Sequence, residues 1–270
     1  MGSSVFAEPQ MVVLAWRLYS ALDAACFAAS DLPLPAYALL VSSSEREEGL
    51  TLKEARAQFD EPFGLECLAR MLERPELVER VRNPRNRREF SLRATRKGLM
   101  RIDCVDEMLA LRVLSFAGTL DEGLFEQMVD RMTSLSLSED GASRVATMFP
   151  GTALRMFSAY RAIAVKESAR VGLTSLQTAL LCALDVGIDI GAIPGCEGIS
   201  DDAVERQLGE LREKGFICDT GQALSEEGIE RTDAFCRSVR SCVDDSASRY
   251  GERTMACARE LCELALYALT

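Results

Sequence analysis

The sequence predicts a mainly α-helical protein in which one arrangement of helices, with a small β-hairpin between its fourth and fifth helices, occurs twice. Three observations support this prediction. Apolar residues recur at helical spacing over most of the chain, one short basic stretch alternates as paired strands do, and segments of the first half reappear in the second half. At 270 residues the chain is long enough for two domains that each bury a core.

The first half is predicted to begin with two helices. Residues 9–29 form an amphipathic helix whose apolar side chains recur at helical spacing, at Val12, Trp16, Tyr19, Leu22 and Cys26. Two prolines, Pro33 and Pro35, break this helix and start a second one that runs through Leu40.

A third and a fourth helix are predicted from their capping residues. Thr51 and Glu54 have the spacing of a capping box at the start of a short helix, and Asp60 followed by Pro62 marks the start of the next one. Within the fourth helix the stripe predicted to be buried is Leu65, Leu68 and Leu72. The residues predicted to face the other way are Phe63, Gly64, Cys67 and Arg70, with a core position as the alternative for Phe63.

A basic hairpin follows within residues 77–103. Residues 78–82 alternate as a strand, Asn83-Pro84 is a strong turn signal, and Phe90 and Leu92 alternate on a return strand. The nine basic residues of positions 80–101 are Arg80, Arg82, Arg85, Arg87, Arg88, Arg93, Arg96, Lys97 and Arg101. Because the formal net charge of the whole chain is −11, this dense cluster favours a local contact with nucleic acid over a merely solvated hairpin.

Two further helices complete the first half. A long helix is predicted from Thr95 to about residue 117, and a shorter one from Thr119 to about residue 134. Residues 134–143 are polar and contain Gly and Ser, which indicates a boundary. The chain is therefore predicted to consist of a first domain, residues 1–138, and a second domain, residues 139–270.

The second half repeats the first, and four pairs of segments carry the repeat. They are Trp16–Leu22 with Phe157–Ile163, Leu32–Leu40 with Leu173–Leu181, Leu72–Val78 with Leu211–Ile217, and Thr95–Asp103 with Ser225–Asp233. The spacing between partners is nearly constant over the first three pairs but clearly shorter in the last pair, so the second copy has lost most of its hairpin. There the pair Arg96-Lys97 is replaced by Glu226-Glu227, and the helix that matches the fourth one opens with Asp201-Asp202, which would repel phosphate.

The residues around the basic hairpin resemble the wing signature of the MarR family of winged helix-turn-helix regulators. The matching residues are Leu72-Glu-Arg-Pro-Glu-Leu-Val-Glu-Arg-Val-Arg-Asn-Pro-Arg-Asn-Arg-Arg88 and Leu92-Arg-Ala-Thr-Arg-Lys-Gly98, and the helix order fits over residues 10–134. The second copy keeps only Leu-Arg-Glu-Lys-Gly-Phe-Ile and Leu-Ser-Glu-Glu-Gly. The sequence departs from the family at Asn83 and Asn86, where aspartates are usual, and at Glu76, where a glycine ends the reading helix.

The resemblance implies two tandem winged helix-turn-helix domains and a DNA-binding transcriptional regulator that responds to an effector. The residues it places at the wing are Arg82, Arg85, Asn86, Arg87 and Arg88. Those it places towards the major groove or the DNA backbone are Gly64, Cys67, Arg70, Lys53 and Arg56. The fourth helix offers few groups that read bases, so sequence specificity is expected to be low or to come from DNA shape.

Family members are ordinarily homodimers, whereas here two copies lie in one chain. The resemblance therefore implies an intramolecular pseudo-dimer joined by helices over residues 9–29, 95–134, 141–170 and 229–269, with a dimer of two chains as the alternative. Relatives bind small aromatic ligands near the interface between the two copies. The residues expected to line that interface here are Trp16, Tyr19, Phe157 and Tyr160. Packing within the core is the alternative role for these aromatic residues.

Cysteine and histidine usage narrows the remaining function classes. Ten cysteines without CxxC pairs indicate reduced thiols in a cytoplasm, and Cys26 lies near the position of a reactive cysteine in thiol-sensing relatives. No neighbouring Lys or Arg is visible in the sequence to lower the pKa of Cys26, so a small core residue is its alternative role. The chain has no histidine, no glycine-rich phosphate loop and no zinc-ligand spacing, so we expect neither an enzyme nor a bound metal or cofactor.

Two expectations concern localisation and the second class of function. No basic N-terminal region and no apolar run of membrane-spanning length is evident, which favours a cytoplasmic protein without a membrane segment. The alternative to DNA binding is a protein-interaction or anti-repressor module that keeps the scaffold but has lost sequence-specific DNA binding. The acidic second half favours that alternative, and the basic hairpin favours double-stranded DNA as the partner.

Overall fold

The structure is a computed structural model that describes most of the chain. The described residues are 5–58, 64–83, 86, 88–117, 126–127, 130–131, 151–190, 199–218, 223–247 and 252–267. The described part is mainly helical with a three-stranded antiparallel sheet, which confirms the predicted class of a mainly α protein with a small β element.

The helices and strands of the described residues follow the predicted order, with two short elements added. In chain order they are a 3-10 helix at Val5–Ala7, α1 (Pro9–Ser30), α2 (Leu34–Ser44), β1 (Leu50–Thr51), α3 (Leu52–Gln58), α4 (Leu65–Glu73), β2 (Val78–Arg82), β3 (Phe90–Ala94), α5 (Arg96–Ala117), α6 (Gly151–Arg170), α7 (Ser175–Asp185), α8 (Asp201–Glu213), α9 (Glu226–Ala247) and α10 (Glu252–Tyr267). The 3-10 helix and strand β1 have no counterpart in the prediction, and the helical region predicted over residues 229–269 corresponds to two helices, α9 and α10. The helix predicted for residues 119–134 lies mostly outside the described residues.

The chain forms two compact units. The continuous unit lies within residues 22–159, and the discontinuous unit combines residues 1–21 with residues 160–270. The division between them falls inside two helices, α1 and α6. The predicted domain boundary between residues 138 and 139 lies outside the described residues, and that division stays a prediction.

Helix α2 forms the centre of the continuous unit. All of its residues are buried, and it packs against α4, α5, β1 and β3. Pro33 offers no side-chain cap at its N-terminus, and the Oδ1 atom of Asp23 in α1 instead accepts a hydrogen bond from the Leu34 N–H at 2.6 Å. The carboxylate therefore satisfies one backbone donor that the start of a helix leaves without an intrahelical partner.

The sheet and α3 place the hairpin beside α4. The strand order is β1–β3–β2, with Leu50 opposite Leu92 and Arg82 opposite Phe90. The predicted capping box is present at the start of α3, since the Thr51 N–H donates to Glu54 Oε2 at 3.0 Å and the Glu54 N–H donates to Thr51 Oγ1 at 3.1 Å. Helix α4 packs against α2 and is followed directly by β2.

In the discontinuous unit, α7 is the helix that matches α2 in the repeat. This helix packs against α8 and α9, and the 3-10 helix packs against α9 and α10. A capping box starts α7, because the Gln177 N–H donates to Thr174 Oγ1 and the Thr174 N–H donates to Gln177 Oε1, each at 3.1 Å. Gln177 Nε2 also donates to Glu210 on α8 at 2.8 Å, so polar side chains contribute to holding α7 and α8 together.

The first joint, residues 72–98, and the second joint, residues 211–228, have matching hydrogen bonds. Each joint closes a turn after one helix, α4 or α8, and caps the start of the next helix, α5 or α9, with a hydroxyl group. In the first joint the bonds are Leu77 N–H to Leu72 O (2.9 Å), Thr95 Oγ1–H to Glu76 O (2.7 Å) and Gly98 N–H to Thr95 Oγ1 (3.1 Å). In the second joint they are Phe216 N–H to Leu211 O (3.0 Å), Ser225 Oγ–H to Gly215 O (2.6 Å) and Gly228 N–H to Ser225 Oγ (3.0 Å).

Helix α1 corrects the expectation that no apolar run is long enough to cross a membrane. Its 22 residues are long and apolar enough by length and composition, because Arg17 and Asp23 are its charged residues amid alanines and larger apolar side chains. Half of its most apolar 18-residue stretch is buried inside the folded chain, including Trp16 and Leu22. The core helix of a soluble protein and a signal sequence satisfy the same criteria.

Candidate nucleic-acid interface

Helix α4 has one buried and one exposed face, as predicted. Leu65, Leu68 and Leu72 are buried, whereas Cys67 and Arg70 are exposed. The spacing of these leucines explains the division, since residues three and four apart lie on one side of a helix. The Arg70 Nε donates to the Glu66 carbonyl oxygen one turn back at 3.2 Å, and this side chain is exposed.

Gly64 lies at the start of α4 and not on its face. It is the N-cap residue, with φ +65° and ψ 139°, a backbone conformation that favours glycine because other residues have a Cβ atom. The predicted helix start at Asp60 and the predicted groove contact at Phe63 lie outside the described residues. Four residues were predicted to face away from the buried leucine stripe. Of these, Cys67 and Arg70 lie on the exposed face of α4.

Arg74 adds a second arginine to this face and was not predicted. It follows Arg70 by four residues, and this spacing puts both side chains on one side of the helix. Arg74 and Lys53 on α3 are exposed, and neither has an ion-pair partner in the described part of the chain. The i, i+4 spacing was the signal in the sequence that would have identified Arg74.

A chain of ion pairs crosses from α3 over α4 to β2. The Arg80 Nη2 lies 2.9 Å from Glu66 Oε2, and its Nε donates to Glu73 Oε1. The Arg56 Nη2 lies 3.6 Å from Glu66 Oε1, so this arginine, which was predicted to hold the DNA backbone, has a carboxylate partner. The hydrogen bond from Arg80 lowers the pKa of the Glu66 carboxyl group, and the bond to Glu73 raises the pKa of the Arg80 guanidinium.

The strands of the hairpin carry a second ion pair and an aromatic contact. Arg93 donates to Glu79 Oε1 from Nη2 at 2.7 Å and from Nε at 3.0 Å, which pairs the two exposed side chains across β2 and β3. The guanidinium of Arg82 lies 5.8 Å from the ring centroid of Phe90, within the range of a cation–π contact. The predicted wing arginine Arg82 is thus held against an aromatic ring that is itself 42% exposed.

The tip of the hairpin is shaped by short backbone turns. The Asn83 N–H donates to the Glu89 carbonyl at 2.9 Å, and the Asn86 N–H donates to the Asn83 carbonyl at 3.2 Å. Asn86 Oδ1 accepts from the Arg88 N–H at 3.2 Å, and both Asn86 and Arg88 are exposed. Two further predicted wing residues, Arg85 and Arg87, lie outside the described residues.

Helix α8 lacks the exposed arginines at the positions that match those of α4. When the two copies of the repeat are aligned, Gly209 corresponds to Arg70 and Glu213 corresponds to Arg74. The first turn of α8 exposes Asp201 and Asp202. After α8, an isolated bridge between residues 217 and 224 stands where the first copy has a five-residue pair of strands.

The four aromatic residues assigned to a ligand pocket are divided between the two units. Trp16, Tyr19 and Tyr160 belong to the discontinuous unit, and Phe157 belongs to the continuous one. The Tyr160 hydroxyl donates to the Phe6 carbonyl at 2.8 Å, and Arg161 lies 5.5 Å from the ring centroid of Tyr19. These contacts support the core-packing alternative for Tyr160, whose hydroxyl already has a partner.

The surroundings of Cys26 disfavour a reactive thiol. The side chain is fully buried, its sulfur lies 3.8 Å from Ser30 Oγ, and burial raises the pKa of the thiol to about 12. Because the thiolate is the reactive form, the thiol–disulfide chemistry of this residue is suppressed at neutral pH. Within the described residues no group of three or more Cys, Asp or Glu side chains is arranged to hold a metal ion.

Comparison with known proteins gives no match: no family model, no curated protein and no solved structure matches this chain.

Proposed function

We propose that this chain is a DNA-binding transcriptional regulator of the MarR type that contacts DNA mainly through α4 and the β2–β3 hairpin of the continuous unit. The single observation that carries the proposal is the exposed face of α4, with Arg70 and Arg74 one turn apart, directly beside a basic hairpin. The order α2, α3, α4, β2, β3 and α5 agrees with the order expected from the resemblance, and β1 adds a third strand to the sheet.

The dimensions of α4 suit a DNA groove. An α-helix with its side chains is about 10–12 Å across and the major groove is about 12 Å wide, so the nine-residue α4 can lie with its exposed face in the groove. In that position Arg70 and Arg74 would reach phosphates or guanine edges, while Lys53 on α3 would reach the backbone. The hairpin would bring Arg82 and Arg88 to the neighbouring minor groove, where guanidinium groups are favoured.

We also propose the other features that the resemblance implies. These are two tandem winged helix-turn-helix domains, a small aromatic effector, a cytoplasmic location, and either a monomeric pseudo-dimer or a homodimer. Light scattering on the purified chain distinguishes the two oligomeric states, because a homodimer has twice the mass of 29.6 kDa.

A titration of DNA binding against salt tests the proposed function. We expect mixed-sequence duplex DNA to bind with a steeply negative log–log salt slope, since each neutralised phosphate contributes about −0.9. Arg70→Ala with Arg74→Ala should weaken binding roughly tenfold at low salt and make the slope less negative by about 1.8. The matched control is Arg206→Ala with Arg212→Ala, which removes two exposed arginines from α8 and should leave both values unchanged.

A second function is favoured by a separate observation, the internal neutralisation of the basic cluster. Arg56, Arg80 and Arg93 all have glutamate partners, which reduces the charge that could attract phosphate. This favours the alternative of a protein-interaction or anti-repressor module. If DNA binding is absent even at low salt and a stable protein complex is isolated instead, the regulator proposal fails and the interaction module replaces it.

A further inference from the structure

Glu66 and Glu73 occupy the same side of α4 and share one arginine. They are separated by about two helical turns, so both carboxylates project from one face and leave a gap between them. Arg80 of β2 fills this gap, with Nη2 2.9 Å from Glu66 and Nε donating to Glu73. Its partly exposed guanidinium group is thus held by these two hydrogen bonds, one to each glutamate.

Glu66 has a second partner on the preceding helix. The Arg56 guanidinium on α3 lies 3.6 Å from Glu66 Oε1, while Glu66 Oε2 accepts from Arg80. One carboxylate therefore connects α3 and β2 across α4. We call Arg56, Glu66, Glu73 and Arg80 the α4 clasp, and because it contains two arginines and two glutamates it has no net charge.

The α4 clasp lies in the surface proposed to meet DNA. Glu66 precedes Arg70 by four residues and Arg70 precedes Arg74 by four, so carboxylates and arginines share this helical face. A phosphate approaching Arg80 or Arg56 must take the place that a glutamate oxygen already has. A glutamate that loses its arginine to the phosphate would then repel that phosphate, because both groups are negatively charged.

The pairs of the α4 clasp are suited to competition and not to permanent closure. All four side chains are at least a quarter exposed, with side-chain exposures of 68% for Arg56, 47% for Glu66, 35% for Arg80 and 28% for Glu73. Exposed pairs are weak and are screened by salt, so a strong polyanion can displace the carboxylates at a cost in affinity.

We propose that Glu66 is a specificity-determining residue that competes with DNA phosphate for Arg56 and Arg80. This inference rests on the proposed function and deepens it. While Glu66 holds both arginines, α4 binds DNA through Arg70 and Arg74 with few phosphate contacts, and general attraction to the backbone is suppressed. The effect raises the share of binding that depends on DNA shape or on base contacts.

The test compares DNA-binding salt slopes of variants that each remove one negative charge. Glu66→Gln keeps the side-chain size, frees Arg56 and leaves Arg80 held by Glu73 alone, so we expect roughly tenfold tighter binding at low salt and a slope more negative by about 0.9 to 1.8. Glu73→Gln frees one side of Arg80 only and should change the slope by at most about half as much. The matched control is Glu79→Gln, which frees Arg93 on the far strand pair and should change the slope less than Glu66→Gln.

A double variant tests whether the released arginine is the cause. Adding Arg80→Gln to Glu66→Gln should remove about half of the gained slope, since one of two phosphate contacts is then lost. Equal gains for Glu66→Gln and Glu79→Gln would mean that only the net charge matters, and the inference would be overturned while DNA binding stands. If the wild-type chain and every variant fail to bind mixed-sequence DNA at low salt, the proposed function itself has failed.

Discussion

The first joint and the second joint have the same hydrogen bonds but lie beside helices with different surfaces. Helix α4 exposes Arg70 and Arg74, whereas α8 has Gly209 and Glu213 at the matching positions. The residues that close the turns are buried, namely Leu72 and Leu77 in the first joint and Leu211 and Phe216 in the second. Because the residues that hold the backbone face inwards, the exposed charges of the second copy could change without disturbing the fold. The architecture and the proposed DNA contacts therefore depend on separate residues.

The two copies also differ at two backbone positions with left-handed φ angles. Glu76 has φ +61° where Gly215 has φ +76°, and Asp31 has φ +57° where Gly172 has φ +75°. The two members of each pair are equivalent positions when the copies of the repeat are aligned. The first copy therefore holds acidic residues in a conformation that the second copy reaches with glycine, which is unstrained there.

The largest effect is expected from alanine at the glycine of each joint. A Cβ atom on Gly98 would lie 2.2 Å from the Leu77 carbonyl oxygen, and one on Gly228 would lie 2.0 Å from the Phe216 carbonyl oxygen. The neighbouring atom in each case is backbone and cannot move aside easily. We expect Gly98→Ala and Gly228→Ala each to lower the free energy of unfolding by about 3 kcal/mol, measured by urea titration with circular dichroism.

A third glycine provides the matched control for this prediction. Gly209 lies in the interior of α8, and a Cβ atom there meets nothing within 4 Å. Gly209→Ala should therefore be neutral or stabilise the chain by up to about 1 kcal/mol, because alanine has the higher helix propensity. If Gly98→Ala destabilises and Gly228→Ala does not, the structural equivalence of the two joints is wrong.

An intermediate effect is expected at the turn residue of each joint. Replacing Glu76 by glycine removes the strain of a left-handed side-chain residue, and we expect Glu76→Gly to raise the free energy of unfolding by about 1 kcal/mol. Gly215→Ala should lower it by a similar amount, about 1 kcal/mol, because it introduces the same strain. Thermal unfolding of both variants beside wild type measures this pair of opposite shifts. A shift of the same sign for both substitutions would contradict the comparison.

Much of the fold was predictable because it follows from local periodicity and capping. The leucine stripe of α4, the strands of the hairpin and the capping box at Thr51 and Glu54 are all local patterns, and the structure contains them. Strand β1 was not predictable in this way, because two residues are too few to show alternation. It is defined by the pairing of Leu50 with Leu92, which lies far from it in the sequence, beyond α3, α4 and β2.

The candidate site was less predictable because its charges depend on distant partners. The sequence shows nine basic residues close together but does not show that Arg80 meets Glu66, 14 residues away, across a helix and a strand. The positive φ of Glu76 is likewise set by the turn between α4 and β2 and not by the preference of glutamate. The apolar character of α1 was missed because its charged residues, Arg17 and Asp23, conceal a helix that is otherwise apolar.

A buried acid in the discontinuous unit provides the third comparison. Glu167 stands at the position that corresponds to Cys26 when the copies of the repeat are aligned. The Glu167 carboxylate is 3% exposed, accepts a hydrogen bond from Ser238 Oγ, and lies 3.5 Å from the Cys242 sulfur and 3.4 Å from Arg170 Nη1. The bond from Ser238 lowers the pKa of this carboxyl group, whereas burial raises the pKa of the Cys26 thiol to about 12.

The smallest effect follows from these two pKa shifts. A lowered pKa in the folded state means that Glu167 stabilises the fold above its unfolded pKa of about 4.3 and that this contribution is lost as the pH falls through the lower folded value. Trp16 is the single tryptophan and lies in the same unit, so its fluorescence reports unfolding there. We expect Glu167→Gln to reduce the acid-induced fall in stability by less than about 1 kcal/mol. The control Cys26→Ser should leave the acid response unchanged, because that thiol stays protonated throughout. An identical acid response in Glu167→Gln and wild type would show that the Ser238 contact does not stabilise the carboxylate and that positions 26 and 167 do not differ in this way.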